Sequence, residues 1–144
     1  MPDNSKPIAV GAALHTRGTQ KRSPCAIDQA MEPCAIVIFG ASGDLTSRKL
    51  VPSLYRLFIN SLLPDEVLIV GTGRKPLEDA RFREKMAGAV RAECSEPPDE
   101  ERLASFIENI FYSPLDYADE TTYRQLAKRL EELESVGIPG GNRI

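Results

Sequence analysis

CAIVIFGASGDLTSRKL, residues 34–50, sets a short unbroken apolar run, Ala35 to Phe39, directly against a glycine pair, Gly40 and Gly43. A β-branched run of this length that ends at glycine reads as a strand buried on both faces of a parallel sheet. The segment after the glycines reads as a helix, with Leu50, Leu54, Leu57 and Phe58 at helical spacing and Val51 and Tyr55 widening the stripe. Pro52 suits a first turn and no later position, so the spacing predicts an irregular or 3₁₀ turn over 44–50 and the main helix from Pro52 to Asn60. A second buried run, Val67 to Gly71, completes a strand, glycine turn, helix, strand unit. Two parallel strands joined this way imply a right-handed crossover.

The pattern continues toward the C-terminus. Phe82, Met86, Ala89 and Val90 mark a helix within Leu77–Ala92, and Leu103 to Ile107 a further helical turn. IFYSPLDY, residues 110–117, reads as a third strand. Asp119 or Thr121 can cap a helix carrying Tyr123, Leu126, Leu130 and Leu133, which stops at Gly137. Asn142-Arg143-Ile144 then begins a fourth strand. The expected fold class is α/β, a Rossmann-like doubly wound parallel sheet, incomplete at its C-terminus. The expected domains are a disordered leader over 1–32, mixed in Gly, Pro, Ser, Thr and charge, and a partial nucleotide-binding domain over 33–144.

Composition bounds the function. The chain has 144 residues and net charge −3, and its first 32 residues carry four of the 18 basic but only three of the 21 acidic side chains. The remainder is mildly acidic, which argues against a nucleic-acid partner. No apolar run reaches membrane-spanning length and no signal peptide is evident, so the expected location is the cytoplasm. Cys25, Cys34 and Cys94 read as small apolar residues rather than metal ligands or disulfides. Residues 23–28 and 32–37 share a Pro-Cys-Ala-Ile tetrapeptide, too little for a repeat architecture, and Met31 offers an alternative start.

A pyrophosphate loop needs outward N–H groups, no Cβ in the way and a helix N-terminus behind it. Gly40-Ala41-Ser42-Gly43-Asp44 meets this in context: it comes after a buried strand, precedes a helix, and spaces its glycines as the second and third of G-x-G-x-x-G, with Ile38 where the first would stand. Ser42 adds a hydroxyl for a phosphate oxygen. Asp44 counts against an anion unless it turns away to cap the helix, and on the loop alone a plain strand-to-helix turn stays a close rival. A Walker loop is excluded because Arg48 occupies its second glycine. The choice of nucleotide falls at the end of the second strand, where a carboxylate holds the ribose 2′-hydroxyl of NAD and arginine accepts the 2′-phosphate of NADP. Here the chain runs Gly71-Thr72-Gly73-Arg74-Lys75. Arg74, with Lys75 and the Thr72 hydroxyl, therefore points to NADP as cofactor.

IVIFGASGDLTSRKLVPSLYRLF, with LLPDEVLIVGTGRKPLEDARFRE, FYSPLDYADETTYRQLAKRLEEL and GNRI, resembles the N-terminal coenzyme domain of glucose-6-phosphate dehydrogenase from Cys34 to Ile144. The resemblance implies an NADP-dependent oxidoreductase of the pentose phosphate pathway that oxidises glucose 6-phosphate to 6-phosphogluconolactone. It implies that Gly40, Ala41, Ser42, Gly43, Asp44 and Leu45 form the coenzyme loop, that Arg74 meets the 2′-phosphate, and that Lys49 lies near the reacting groups and the sugar phosphate. The family's general-base histidine stands in an R-I-D-H-Y-L-G-K region that these residues do not contain, and His15 aligns with nothing catalytic. The expectation is thus a truncated dehydrogenase, inactive alone, whose homo-oligomer belongs to the full-length protein. The rival expectation is a non-catalytic nucleotide-binding or regulatory module. A short-chain dehydrogenase is disfavoured because neither Tyr55 nor Tyr123 has a lysine four residues on.

Overall fold

The apolar run after Pro33 forms β1 (Cys34–Phe39), and the second run forms β2 (Val67–Gly73), parallel to β1 with Cys34 opposite Val67 and Phe39 opposite Thr72 in a computed structural model that describes residues 31–137 and 141–144. β3 (Ile110–Pro114) pairs in parallel with the other edge of β2, and β4 (Asn142–Arg143) with β1, giving the order β3-β2-β1-β4. The alternation of strand and helix imposes this: parallel neighbours need a crossover, and each connection carries one or two helices. These are α1 (Val51–Ile59), α2 (Asp79–Glu93) and α3 (Glu100–Glu108), then α4 (Glu120–Gly137). Of the leader expected over 1–32, residues 1–30 lie outside the described residues.

Each face of the sheet has its own core. On one, Cys34, Ile38, Val67, Ile69, Ile110 and Tyr112 pack beneath Val51 and Tyr55 of α1, Phe82, Met86 and Val90 of α2, and Leu103 and Phe106 of α3. Phe106 is the hub, its ring 5.4 Å from both Tyr55 and Phe58. On the other face, Val70 and Leu115 meet Leu126 and Leu130 of α4, while Ala35 and Leu68 pack near Leu133. This two-sided burial explains why β2 reads as a continuous apolar run: all seven of its residues are buried. β1 is less complete, with Phe39 56% exposed at its end.

Two local expectations need correction. Residues 44–50 are helical from Asp44, and Thr46–Leu50 form a π-helical turn rather than a 3₁₀ one, with the Val51 N–H bonded to the Thr46 carbonyl. Pro52 has no N–H with which to continue an α-helical ladder across this point, and Ser47 Oγ donates to the Asp44 carbonyl at 3.1 Å, so the backbone bonding is already diverted. The extra residue rotates α1 by about 100° relative to a regular helix. Val51 and Tyr55 therefore face the core, with Leu54 and Phe58 half-buried, while Leu50 and Leu57 of the expected stripe are 40% and 38% exposed. The other elements begin as the capping residues direct. Asp99 accepts the N–H groups of Glu101 and Arg102 to start α3, and Asp119 accepts that of Thr121 to start α4.

β3 is a sheet edge, and side chains close it. Asp79 Oδ1 accepts the Tyr112 N–H at 2.8 Å, and Arg83 Nε donates to the Ile110 carbonyl at 2.7 Å while its guanidinium lies over the Phe111 ring. The other Asp79 oxygen receives Arg129 of α4, so one carboxylate joins α2, β3 and α4. At the opposite edge Arg143 of β4 grips Glu134 of α4 with two bonds of 2.7 Å.

This packing can be tested at two points. A Cβ at Gly71 would sit 2.5 Å from Phe82 Cζ and 2.8 Å from Ala41 Cβ, so Gly71→Ala should destabilise the fold by about 1–3 kcal/mol in urea denaturation. Bonding to the Arg143 guanidinium holds the Glu134 carboxyl below the usual carboxylate range. A folded-state value below the unfolded one contributes stability above the unfolded value, about pH 4.3, and that contribution is lost as the pH falls through the folded value. Glu134→Gln should accordingly be less stable than the parent chain at neutral pH, with the difference in urea midpoint shrinking on acidification below about pH 4.

Candidate coenzyme site

The glycine loop sits where β1 ends and its helix begins, at the carboxyl ends of the strands. Gly40 turns the chain with φ +72°, a left-handed conformation that glycine adopts without strain. Ala41, wholly buried, donates its N–H to the Thr72 carbonyl of β2 at 2.7 Å, and Gly43 donates to the Gly40 carbonyl at 2.9 Å. Three carbonyls that could repel an anion here are occupied: Gly40's by Gly43, Ser42's by Lys85 Nζ at 3.1 Å and Asp44's by Ser47. The N–H groups of Asp44 and Leu45 open the helix, where a first turn has no preceding carbonyl to bond. The N–H groups that the loop leaves over at the start of the helix, with the partial positive charge behind them, fit a pyrophosphate.

Ser42 brings the loop to the end of β2. A Cβ on Gly73 would stand 2.9 Å from Ser42 Oγ and 2.8 Å from Tyr112 Oη, so both hydroxyls border the residue before Arg74. Tyr112 Oη donates to the Lys75 carbonyl at 2.7 Å and so fixes the turn that carries Arg74 and Lys75. Burial pushes the Tyr112 phenol up, and the neighbouring Tyr117 phenol adds to the shift, which keeps it a neutral donor. Arg74 and Lys75 are exposed, and among the described residues neither enters an ion pair, unlike Arg91 with Glu100 or Arg124 with Glu120.

Two sequence-level roles change with the geometry. Thr72 is wholly buried and its hydroxyl lies 3.4 Å from the Ile38 carbonyl, to which it donates, so it braces β1 against β2 and does not face a ligand. Asp44 does not cap the helix. Its carboxylate pairs with Arg48 one turn on, at 3.2 Å, and Arg48 also reaches toward Glu93 of α2. The pair sets a positive charge beside the one carboxylate of the loop. Lys49 is exposed on the π-helical turn and lines a shallow depression with Asp44, Leu45 and Arg48. The sequence alone did not reveal Lys85, Tyr112 or Tyr117. Lys85 reads as one more cation on a polar helix face, and Tyr112 as a core residue. Tyr117, half-exposed, lies just past β3 at the strand carboxyl ends, its Oη 3.9 Å from where a Gly40 Cβ would be, and only the position of ligand crevices in open α/β sheets could have marked it.

No helix among the described residues is long and apolar enough to cross a membrane. Residues 37–144 match the family model described as glucose-6-phosphate dehydrogenase, NAD binding domain. The glucose-6-phosphate 1-dehydrogenases of Aggregatibacter actinomycetemcomitans and Treponema pallidum (strain Nichols) are each 40% identical over 113 residues, 78% of this chain, and that of Bacillus subtilis (strain 168) is 33% identical over 109. The chain spans 22% of the length of the first two, about a fifth. A solved glucose-6-phosphate dehydrogenase in complex with its substrate glucose-6-phosphate superposes with TM-score 0.67 at 29% identity, over 78% of this chain and 23% of that one. The Mycobacterium avium enzyme, at 23% identity and TM-score 0.61, shares the fold. With three quarters of its length inside the family model, the chain belongs to the glucose-6-phosphate dehydrogenase family, as its NAD-binding domain.

Proposed function

We propose that this chain is the coenzyme-binding part of a cytoplasmic, homo-oligomeric dehydrogenase that oxidises glucose 6-phosphate at C1 to 6-phosphogluconolactone with NADP. The observation that carries the choice of coenzyme is the junction of the loop with β2: Ser42 Oγ borders Gly73, and the next residue is an exposed arginine, unpaired among the described residues, rather than a carboxylate. An acidic residue at this place would accept from the ribose 2′-hydroxyl of NAD, whereas arginine offers a permanently charged, two-pronged donor to a 2′-phosphate.

The chemistry supplied by NADP is acceptance of a hydride from the sugar C1 at its nicotinamide. The chain's own residues bind and orient. In the loop from Gly40 to Leu45 the pyrophosphate is received by the N–H groups that the fold leaves over, since Ala41's is bonded to the Thr72 carbonyl and Gly43's to the Gly40 carbonyl. Tyr112 holds the Arg74 turn in place through the Lys75 carbonyl, so the 2′-phosphate meets Ser42, Arg74 and Lys75 together. Lys49, exposed on the π-helical turn behind the loop, takes the role that the family resemblance implies for it, near the phosphate of the sugar. Taking the proton from the C1 hydroxyl at neutral pH needs a positioned base, and the histidine that serves belongs to the family's R-I-D-H-Y-L-G-K region, outside these 144 residues.

Coenzyme titration of the chain by isothermal calorimetry tests the reading. NADP is expected to bind more tightly than NAD, and Arg74→Ala to weaken NADP by about 1.5–3 kcal/mol, roughly 10- to 150-fold, with NAD almost unaffected. Equal losses for the two coenzymes would remove Arg74 from the 2′-phosphate.

A further inference from the structure

Lys85 stands apart from the other cations of α2. Arg81 pairs with Glu84, Arg83 is bound to the backbone of Ile110 and Glu108, and Arg91 is paired with Glu100. Lys85 has instead been drawn to the coenzyme loop, where Nζ donates to the carbonyl of Ser42 at 3.1 Å across 43 residues of sequence. A neutral carbonyl takes one of the three ammonium donors and leaves the full charge and two donors in place. The hydroxyl of the same serine lies beside Gly73, 2.9 Å from where a Cβ on that glycine would stand, and Gly73 is the residue before Arg74. The tethered ammonium and that hydroxyl thus belong to one residue's surroundings, well inside the screening length of about 8 Å at physiological salt.

We infer that Lys85 is a third cation of the 2′-phosphate site and a determinant of the preference for NADP over NAD. The assignment rests on the NADP reading given above and names a residue from a different element, two turns into α2. Arg74 and Lys75 approach the phosphate from the end of β2, and Lys85 approaches it from α2 across the Ser42 carbonyl. By occupying that carbonyl it also removes an oxygen that would otherwise face the anion. A purely structural lysine would stabilise the loop for both coenzymes alike, since NAD and NADP share the pyrophosphate. A lysine at the 2′-phosphate separates them.

Binding of NADP, NAD and 2′,5′-ADP to the chain distinguishes these roles, with thermal unfolding as a check that the exposed substitutions leave the fold intact. Lys85→Ala and Lys85→Gln are expected to weaken NADP and 2′,5′-ADP by roughly three- to tenfold, as befits an exposed charged pair, and to leave NAD unchanged. Lys85→Gln matters because its amide can still donate to Ser42 while the charge is gone, and Lys85→Arg should retain the parent affinity. A parent chain that binds NADP and NAD equally would sink the coenzyme reading and this assignment with it. A parent chain that prefers NADP, with Lys85 variants that keep the preference or lose both coenzymes in parallel, would overturn the role of Lys85 alone.

Discussion

The N–H of Ala41 meets the carbonyl of Thr72 at 2.7 Å, and around that bond the remaining structure is arranged. It joins the turn after β1 to the end of β2, so the glycine loop and the Arg74 turn are held at a fixed distance from each other. Such a close approach needs side chains withdrawn on both partners. Ala41 is wholly buried against Gly71, whose missing Cβ leaves space that the Phe82 ring fills from α2. Two residues on, Gly73 withdraws in the same way from Ser42 and Tyr112. The glycines of β2 thus serve the loop of β1, and VGTG is the other half of GASGD.

The same constraint explains why so many side chains fix β3. Tyr112 must reach Gly73 and the Lys75 carbonyl, and it does so from an edge strand, the least restrained part of any sheet. Asp79 holds the Tyr112 N–H, Arg83 the Ile110 carbonyl, and Arg129 the second oxygen of Asp79. Among the described residues Arg129 Nε is buried without a hydrogen-bond partner. Phe82 against Tyr112, with ring centroids 5.0 Å apart, completes the link from α2 through the edge strand to the coenzyme turn.

The strand and helix order was legible because its signals are local: apolar runs ended by glycine, a proline at the start of a helix, aspartates at the caps. The positions of the glycine turn after β1 and of Arg74 after β2 were legible for the same reason, since each is defined by its place relative to one strand. What escaped depends on contacts across the sequence. Thr72 reads as a ligand hydroxyl until the buried Ile38 carbonyl beside it is seen. Leu50 and Leu57 read as core until the π-helical turn rotates them outward, and no one-dimensional period contains an inserted residue. Lys85 lies 43 residues from Ser42, and nothing in the composition of α2 distinguishes it from its neighbours.

Charge placement at the loop arises from a conflict that the chain resolves locally. An NAD-binding domain in a chain of net charge −3 must attract an anionic dinucleotide, and its own loop contains an aspartate in the first turn of the helix. Left alone, Asp44 would oppose the partial positive charge of the helix N-terminus at the point where the anion arrives. Arg48, one turn later, is placed to cancel it, and the exposure of both side chains keeps the energetic value of that pair small. Its importance is therefore electrostatic at the site rather than stabilising for the fold. With Arg48 paired to Asp44 and reaching toward Glu93, the cations of this region that enter no ion pair among the described residues are Lys49 on the turn, Arg74 and Lys75 after β2, and Lys85 on α2. They rise from three separate elements around one serine-bearing loop, and such convergence in an otherwise acidic domain focuses attraction on that single patch.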